Sequence, residues 1–220
     1  GQVPEERELE ALLDALRNYL DLHPGFRVDL EIFESIGMEC VFVITHAGSG
    51  VRSVDDLRAS GAGHRLAIQS ADSGSAVTFD VMRKIDPDLA NTAVVYMDTR
   101  VAMDQLGTDG PNAVDTVMLV HRPKVLSPEL RRALTNPGQF QLVSFDDPEL
   151  AGKLPNGDPV YIPLDVPLIR SGWKTERSVP TLCMKGLLVG SRSKLSPADR
   201  TRLERIINNQ WMRVYAEDVR

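Results

Sequence analysis

Apolar residues fall into two rhythms along this chain. From Glu5 to Leu22 they recur at helical spacing, as Leu9, Leu12, Leu13, Leu16 and Leu20, and His23-Pro24-Gly25 closes the predicted helix. Phe26 to Phe33 (FRVDLEIF) alternates and predicts a strand, with a short helix over Leu30 to Ser35 as the other fit. Glu39 to Ala47 (ECVFVITHA) is a continuous β-branched and aromatic run, the composition of a strand, and Gly48-Ser49-Gly50 breaks it. Ser53 to Arg58 reads as a single capped turn of helix with acids at its start.

Strand and helix signals then alternate. Arg65 to Gln69 predicts a strand and Ser75 to Lys84 a helix, with Val77, Val81, Met82 and Ile85 along one face. Strands follow at Ala93 to Met97, Ala113 to Val120 and Gln139 to Phe145. Helices fall at Thr99 to Leu106 and Ser127 to Thr135, the latter opened by a Ser-Pro cap, with a short one after Asp146-Asp147-Pro148. This alternation predicts βαβ units around a parallel or mixed sheet flanked by helices, an α/β fold. The density of Pro, Gly and Asn from Asn156 to Pro167 reads as a long connection with an extended piece at Val160 to Ile162. Thr181 to Ser191 is a further strand. Ser196-Pro197-Ala198-Asp199 opens a final helix striped by Leu203, Ile206, Ile207, Trp211 and Val214.

Composition narrows the function. The 220 residues are 42% hydrophobic and 25% charged with a net charge of −6, an ordinary globular balance that disfavours nucleic acid as a partner. No apolar run approaches the roughly 18 residues of a membrane span, and the polar opening Gly1 to Glu5 is unlike a secretion signal. No Cys/His cluster marks a metal site and no nucleotide motif marks a cofactor. Cys40 and Cys183 each sit in an apolar run, where a small buried hydrophobe is the ordinary role. A bridge between them is the alternative, and sequence does not place them within bonding distance.

The candidate site follows from where α/β sheets bind ligands, beyond the carboxyl ends of their strands. Three turns qualify: Gln69 to Ser75, Asp98-Thr99-Arg100 and His121-Arg122-Pro123. In the first, Ser70, Ser73, Gly74 and Ser75 combine hydroxyls with the free amides of a helix start, a seat for an anionic group. A serine there is also an ordinary helix cap. Arg100 and Arg122 suit a carboxylate, Asp98 suits an ammonium group or a cap, and His121 stands beside them. Ser73 and His121 are residue types of a hydrolytic triad, but the nucleophile elbow G-x-S-x-G is absent. No catalytic residue is assigned.

With these pieces in order, the chain resembles the TAXI-type solute receptors of TRAP transporters, which are type II periplasmic binding proteins. The resemblance runs from about Gly37 to Trp211 on ECVFVITHAGSGVRSVDDLR, RLAIQSADSGSAVTFDVMRK, AVDTVMLVHRP and VPTLCMKGLLVGS. It implies a periplasmic receptor that captures a small anionic solute, a dicarboxylate or amino acid, and delivers it to membrane permease subunits. It implies one complete lobe over 48–178, a remnant of the first lobe with the crossing strand over 1–47, and a return strand with a terminal helix over 179–220. Ser70, Ser73, Gly74 and Ser75 match the family's ligand-contacting turn, while His121 and Arg122 follow a strand where relatives have small residues and prolines. The family's opening strand, glycine-rich turn and helix have no counterpart here, which implies a first lobe missing or cut down. The ligand-sensing effector domain of LysR-type regulators is a second architecture of this length. A receptor-like domain serving as a protein-interaction module is a third.

Overall fold

The run beginning at Glu39 lies within one long strand, β1 (Leu30–His46), in a computed structural model that describes residues 30–59, 63–123, 126–153, 159–171, 174–191, 195–203 and 205. The helix expected at Glu5 to Leu22, and the end of the final helix, lie outside the described residues. The chain divides into two compact units, one of Met38–Gly152 with Val160–Met184, the other of Gly1–Gly37, Lys153–Pro159 and Lys185–Arg220. In the second of these the described residues include a helical stretch at 197–203, where the Ser196 hydroxyl accepts from the Asp199 amide at 3.1 Å.

The larger unit is built on a mixed sheet. After β1 come α1 (Val54–Arg58), β2 (Arg65–Ile68), α2 (Gly74–Ile85), β3 (Ala93–Tyr96), α3 (Thr99–Gln105), β4 (Thr116–His121), α4 (Pro128–Thr135), β5 (Phe140–Val143), β6 (Ile162–Ser171) and β7 (Lys174–Ser191). Short 3₁₀ turns stand at Pro87–Asn91 and Pro148–Ala151. The strand order is β3-β2-β4-β1-β7-β6, with β5 also paired to β1. β2 runs parallel to β3 and β4, as the βαβ reading predicts. β1 is antiparallel to both β4 and β5, so the sheet is mixed.

Side-chain alternation explains the continuous apolar runs. On β1, Cys40, Phe42 and Ile44 enter one core cluster and Val41 and Val43 the other. All five are at most 1% exposed, because helices cover both faces of the sheet. Ala102, Met103, Leu130 and Ala133 of α3 and α4 pack into the first cluster; Leu57, Ala76, Phe79 and Met82 of α1 and α2 pack into the second.

Two expectations are corrected. The segment Asn156 to Pro167, read as a connection, contains the start of β6, which pairs antiparallel with β7 from Ile162↔Cys183 through Ser171↔Lys174. β6 ends the strand order, and an edge strand tolerates Pro163 and Pro167 because their missing amides can face outward. Cys40 and Cys183, 143 residues apart, are joined in a disulfide between the neighbouring strands β1 and β7.

A second tie is ionic. Arg58, at the end of α1, places Nη1, Nε and Nη2 each 2.5 Å from carboxylate oxygens of Asp55, Asp86 and Asp147. Burial disfavours its charge, but the carboxylates of Asp86, Asp147 and Asp55 outweigh this and hold the guanidinium above its ordinary pKa. Asp86 and Asp147 also cap the two 3₁₀ turns through the amides of Asp88 (3.0 Å) and Glu149 (2.8 Å). One cation thereby fixes three chain segments.

Arg58→Met should cost about 3–5 kcal/mol in urea unfolding, since Asp86 and Asp147 are left half-enclosed without a counter-charge; a loss under about 1 kcal/mol, the range of an exposed pair, would contradict this placement. Replacing both cysteines with alanine should cost a similar amount, about 3–5 kcal/mol, because the bridge closes so long a loop. Reductant should lower the melting temperature of the parent protein and leave the double variant unmoved.

Candidate functional site

β2, β3 and β4 point the same way, so the turns that follow them share one rim. Each leads into a helix whose first residue is fixed by a side-chain cap. Ser73 Oγ accepts from the Ala76 amide at 3.2 Å and donates to the Ser70 carbonyl at 2.7 Å. Asp98 Oδ1 accepts from the amides of Arg100 (3.0 Å) and Val101 (3.2 Å). Ser127 Oγ accepts from the Leu130 amide at 3.2 Å. The starts of α2, α3 and α4 therefore converge, positive ends first, on the end of β4.

There they enclose a cleft of about 310 Å³. Ser75 lines it from α2, Asp98, Thr99 and Arg100 from the start of α3, Met118 to His121 from β4, and Ser127 and Glu129 from the start of α4. Ser75 is 8% exposed, and its Oγ accepts from the Val120 amide at 3.0 Å, which pins α2 to the strand while leaving the hydroxyl proton free. His121 Nδ1 lies 3.1 Å from the Arg122 carbonyl.

Of the residues singled out from sequence, Ser75, Asp98, Arg100 and His121 line this one cleft. Ser70, Ser73, Gly74 and Arg122 are not among its lining residues. Ser73 spends its hydroxyl on the cap, and Ser70 holds the neighbouring Asp72 carboxyl below its usual pKa. The turn before α2 thus carries its own carboxylate, and Ser73, bonded to Ser70, makes no hydrogen bond to His121. Ser127 and Glu129 were missed. The rule that selected the turn after β4 reaches them once it is followed on to the next helix start.

A second cleft, of about 320 Å³, lies at the opposite end of β4 among His46, Ser49, Arg65, Asp109 and Asp115. Its polar groups are largely engaged with one another. Asp115 Oδ2 accepts from the Arg65 amide at 2.7 Å, Arg65 Nη1 donates to the Pro111 carbonyl at 2.9 Å, and His46 Nδ1 accepts from the Gly48 amide at 3.1 Å. In the rim cleft, by contrast, neither Arg100 nor Glu129 has an ion-pair partner among the described residues. No group of side chains able to hold a metal ion occurs among the described residues.

No protein-family model matches the chain, and no curated protein matches it. Among solved structures it is similar to a Xanthomonas citri protein bound to ATP, at 12% identity and TM-score 0.47, over 82% of this chain and 56% of that one. It is similar to the arginine-, lysine-, histidine-binding protein ArtJ of Geobacillus stearothermophilus, at 13% identity and TM-score 0.43, over 83% of this chain and 58% of that one. It is also similar to an arginine transport-system periplasmic binding protein of Legionella pneumophila, at 12% identity and TM-score 0.43, over 86% of this chain and 65% of that one. The chain thus spans between about half and two thirds of the length of these proteins.

Ser75→Ala should destabilise the protein by about 1–2 kcal/mol, because the Val120 amide loses its acceptor in a buried setting. Equilibrium urea unfolding checks this, and Ser75→Thr, which keeps the hydroxyl, should recover part of the loss.

Proposed function

We propose that this chain is the ligand-bearing part of an extracytoplasmic solute receptor of the TRAP-transporter kind, capturing a small amino acid or dicarboxylate and passing it to membrane permease subunits. The observation that carries this reading is the rim cleft. Its volume, about 310 Å³, suits a metabolite. Arg100 is available there to fork onto a carboxylate, with Ser75 and Thr99 hydroxyls beside it. Capping side chains and the Ser75–Val120 bond hold these groups in place before any ligand arrives, which lowers the entropic cost of binding.

The compartment is supported separately by the Cys40–Cys183 bridge, since disulfides persist in oxidising surroundings and are rare in reducing ones. The same bridge weighs against a cytosolic ligand-sensing regulator. No helix among the described residues is long and apolar enough to cross a membrane.

Thermal unfolding across a panel of dicarboxylates and amino acids tests the reading. A solute present at 100 times its Kd should add about 2.7 kcal/mol of stability, and Arg100→Ala should remove that gain. A melting temperature indifferent to every solute would refute the receptor reading and leave a protein-interaction module in its place.

A further inference from the structure

We infer that the solute carries a cationic nitrogen as well as a carboxylate, and that Glu129 is the residue that selects for it. This rests on the receptor reading and sharpens it from two solute classes to one. The charges in the cleft are unequal. Arg100 is its one guanidinium, and Asp98 and Glu129 are two carboxylates. Asp98 spends Oδ1 on the amides that open α3, which leaves Oδ2 free. Glu129, in the first turn of α4, has no cation paired with it among the described residues.

His121 adds to the imbalance. The Arg122 carbonyl can only accept, so Nδ1 of the ring is the donor in that contact. In the neutral imidazole Nε2 is then an acceptor. The lining therefore sets two carboxylates, Asp98 and Glu129, with the acceptor nitrogen of a neutral His121 ring beside them, against one guanidinium, Arg100. A dicarboxylate would satisfy Arg100 and leave its second charge facing carboxylates, at a cost set by like-charge repulsion in a partly desolvated site. An amino acid satisfies both sides, with its carboxylate on Arg100 and its ammonium among the acceptors. A site built to bond an amine rejects the analogue that lacks it, because its acceptors then go unpaired.

The test uses matched pairs on the full chain: each common amino acid against the same acid without its α-amine, for example L-glutamate against glutarate and L-alanine against propionate. Melting temperature screens the pairs and calorimetry measures the hits. Amino acids should bind and their amine-free partners should not. Glu129→Gln should weaken the amino acids about tenfold or more and narrow that preference. The unliganded melting temperature and circular dichroism of the variant report whether it is folded. If amine-free acids bind as tightly as their partners, or Glu129→Gln leaves the ratio between them unchanged, the inference is overturned while the receptor reading survives. If no compound binds, both are lost.

Discussion

The core of this molecule is constrained by one strand that belongs to two cores at once. Every side chain of β1 from Cys40 to Ile44 is buried, alternately against α3 and α4 and against α1 and α2. The same strand pairs with β4 and β5 and neighbours β7. A polar residue at any of these positions would bury an unpaired group on one face or the other. That requirement is what writes CVFVI into the sequence as an unbroken apolar word. The Thr45 hydroxyl beside it, also buried, donates to the Asp115 carbonyl at 2.8 Å, so the polarity at the end of the run is satisfied as well.

Around that strand, long-range ties do what the short helices cannot. α1 has five residues and α3 seven, too few to be stable by propensity alone. Arg58 binds the end of α1 to the starts of both 3₁₀ turns, and the disulfide fixes β1 to β7. In the lining of the rim cleft Asp98 spends one carboxylate oxygen on the backbone, while Arg100 and Glu129 have no ion-pair partner among the described residues.

Much of the alternating region was legible from residues alone. Ser73, Asp98 and Ser127 mark helix starts where a cap, and in α4 a following proline, makes the signal local. The run of strands was readable for the same reason, since burial on both faces demands uninterrupted apolar residues. What was not legible depends on distance in sequence. Nothing near Arg58 announces Asp86 or Asp147, and nothing near Cys40 announces Cys183. Strand direction was equally hidden, because β1 has the same composition whether it runs with β4 or against it. Pro163 and Pro167 misled by their ordinary meaning: they break most strands but not one at the edge of a sheet. The cleft was half visible. The turn rule picked Ser75, Asp98, Arg100 and His121, which line the cleft, but also the hydroxyls of Ser73, engaged by the backbone, and of Ser70, engaged by Asp72.

The position of those two prolines has a further effect. They stand on β6 at alternate places with Asp165 between them, and a residue without an amide cannot donate to β7. All three therefore turn their backbone nitrogens to the open margin, which offers an approaching chain a charge flanked by two gaps in the ladder. Those gaps work against ribbon growth from that side. The opposite margin, β3, is only four residues long. Neither of these two borders therefore gives a second molecule much to zip onto.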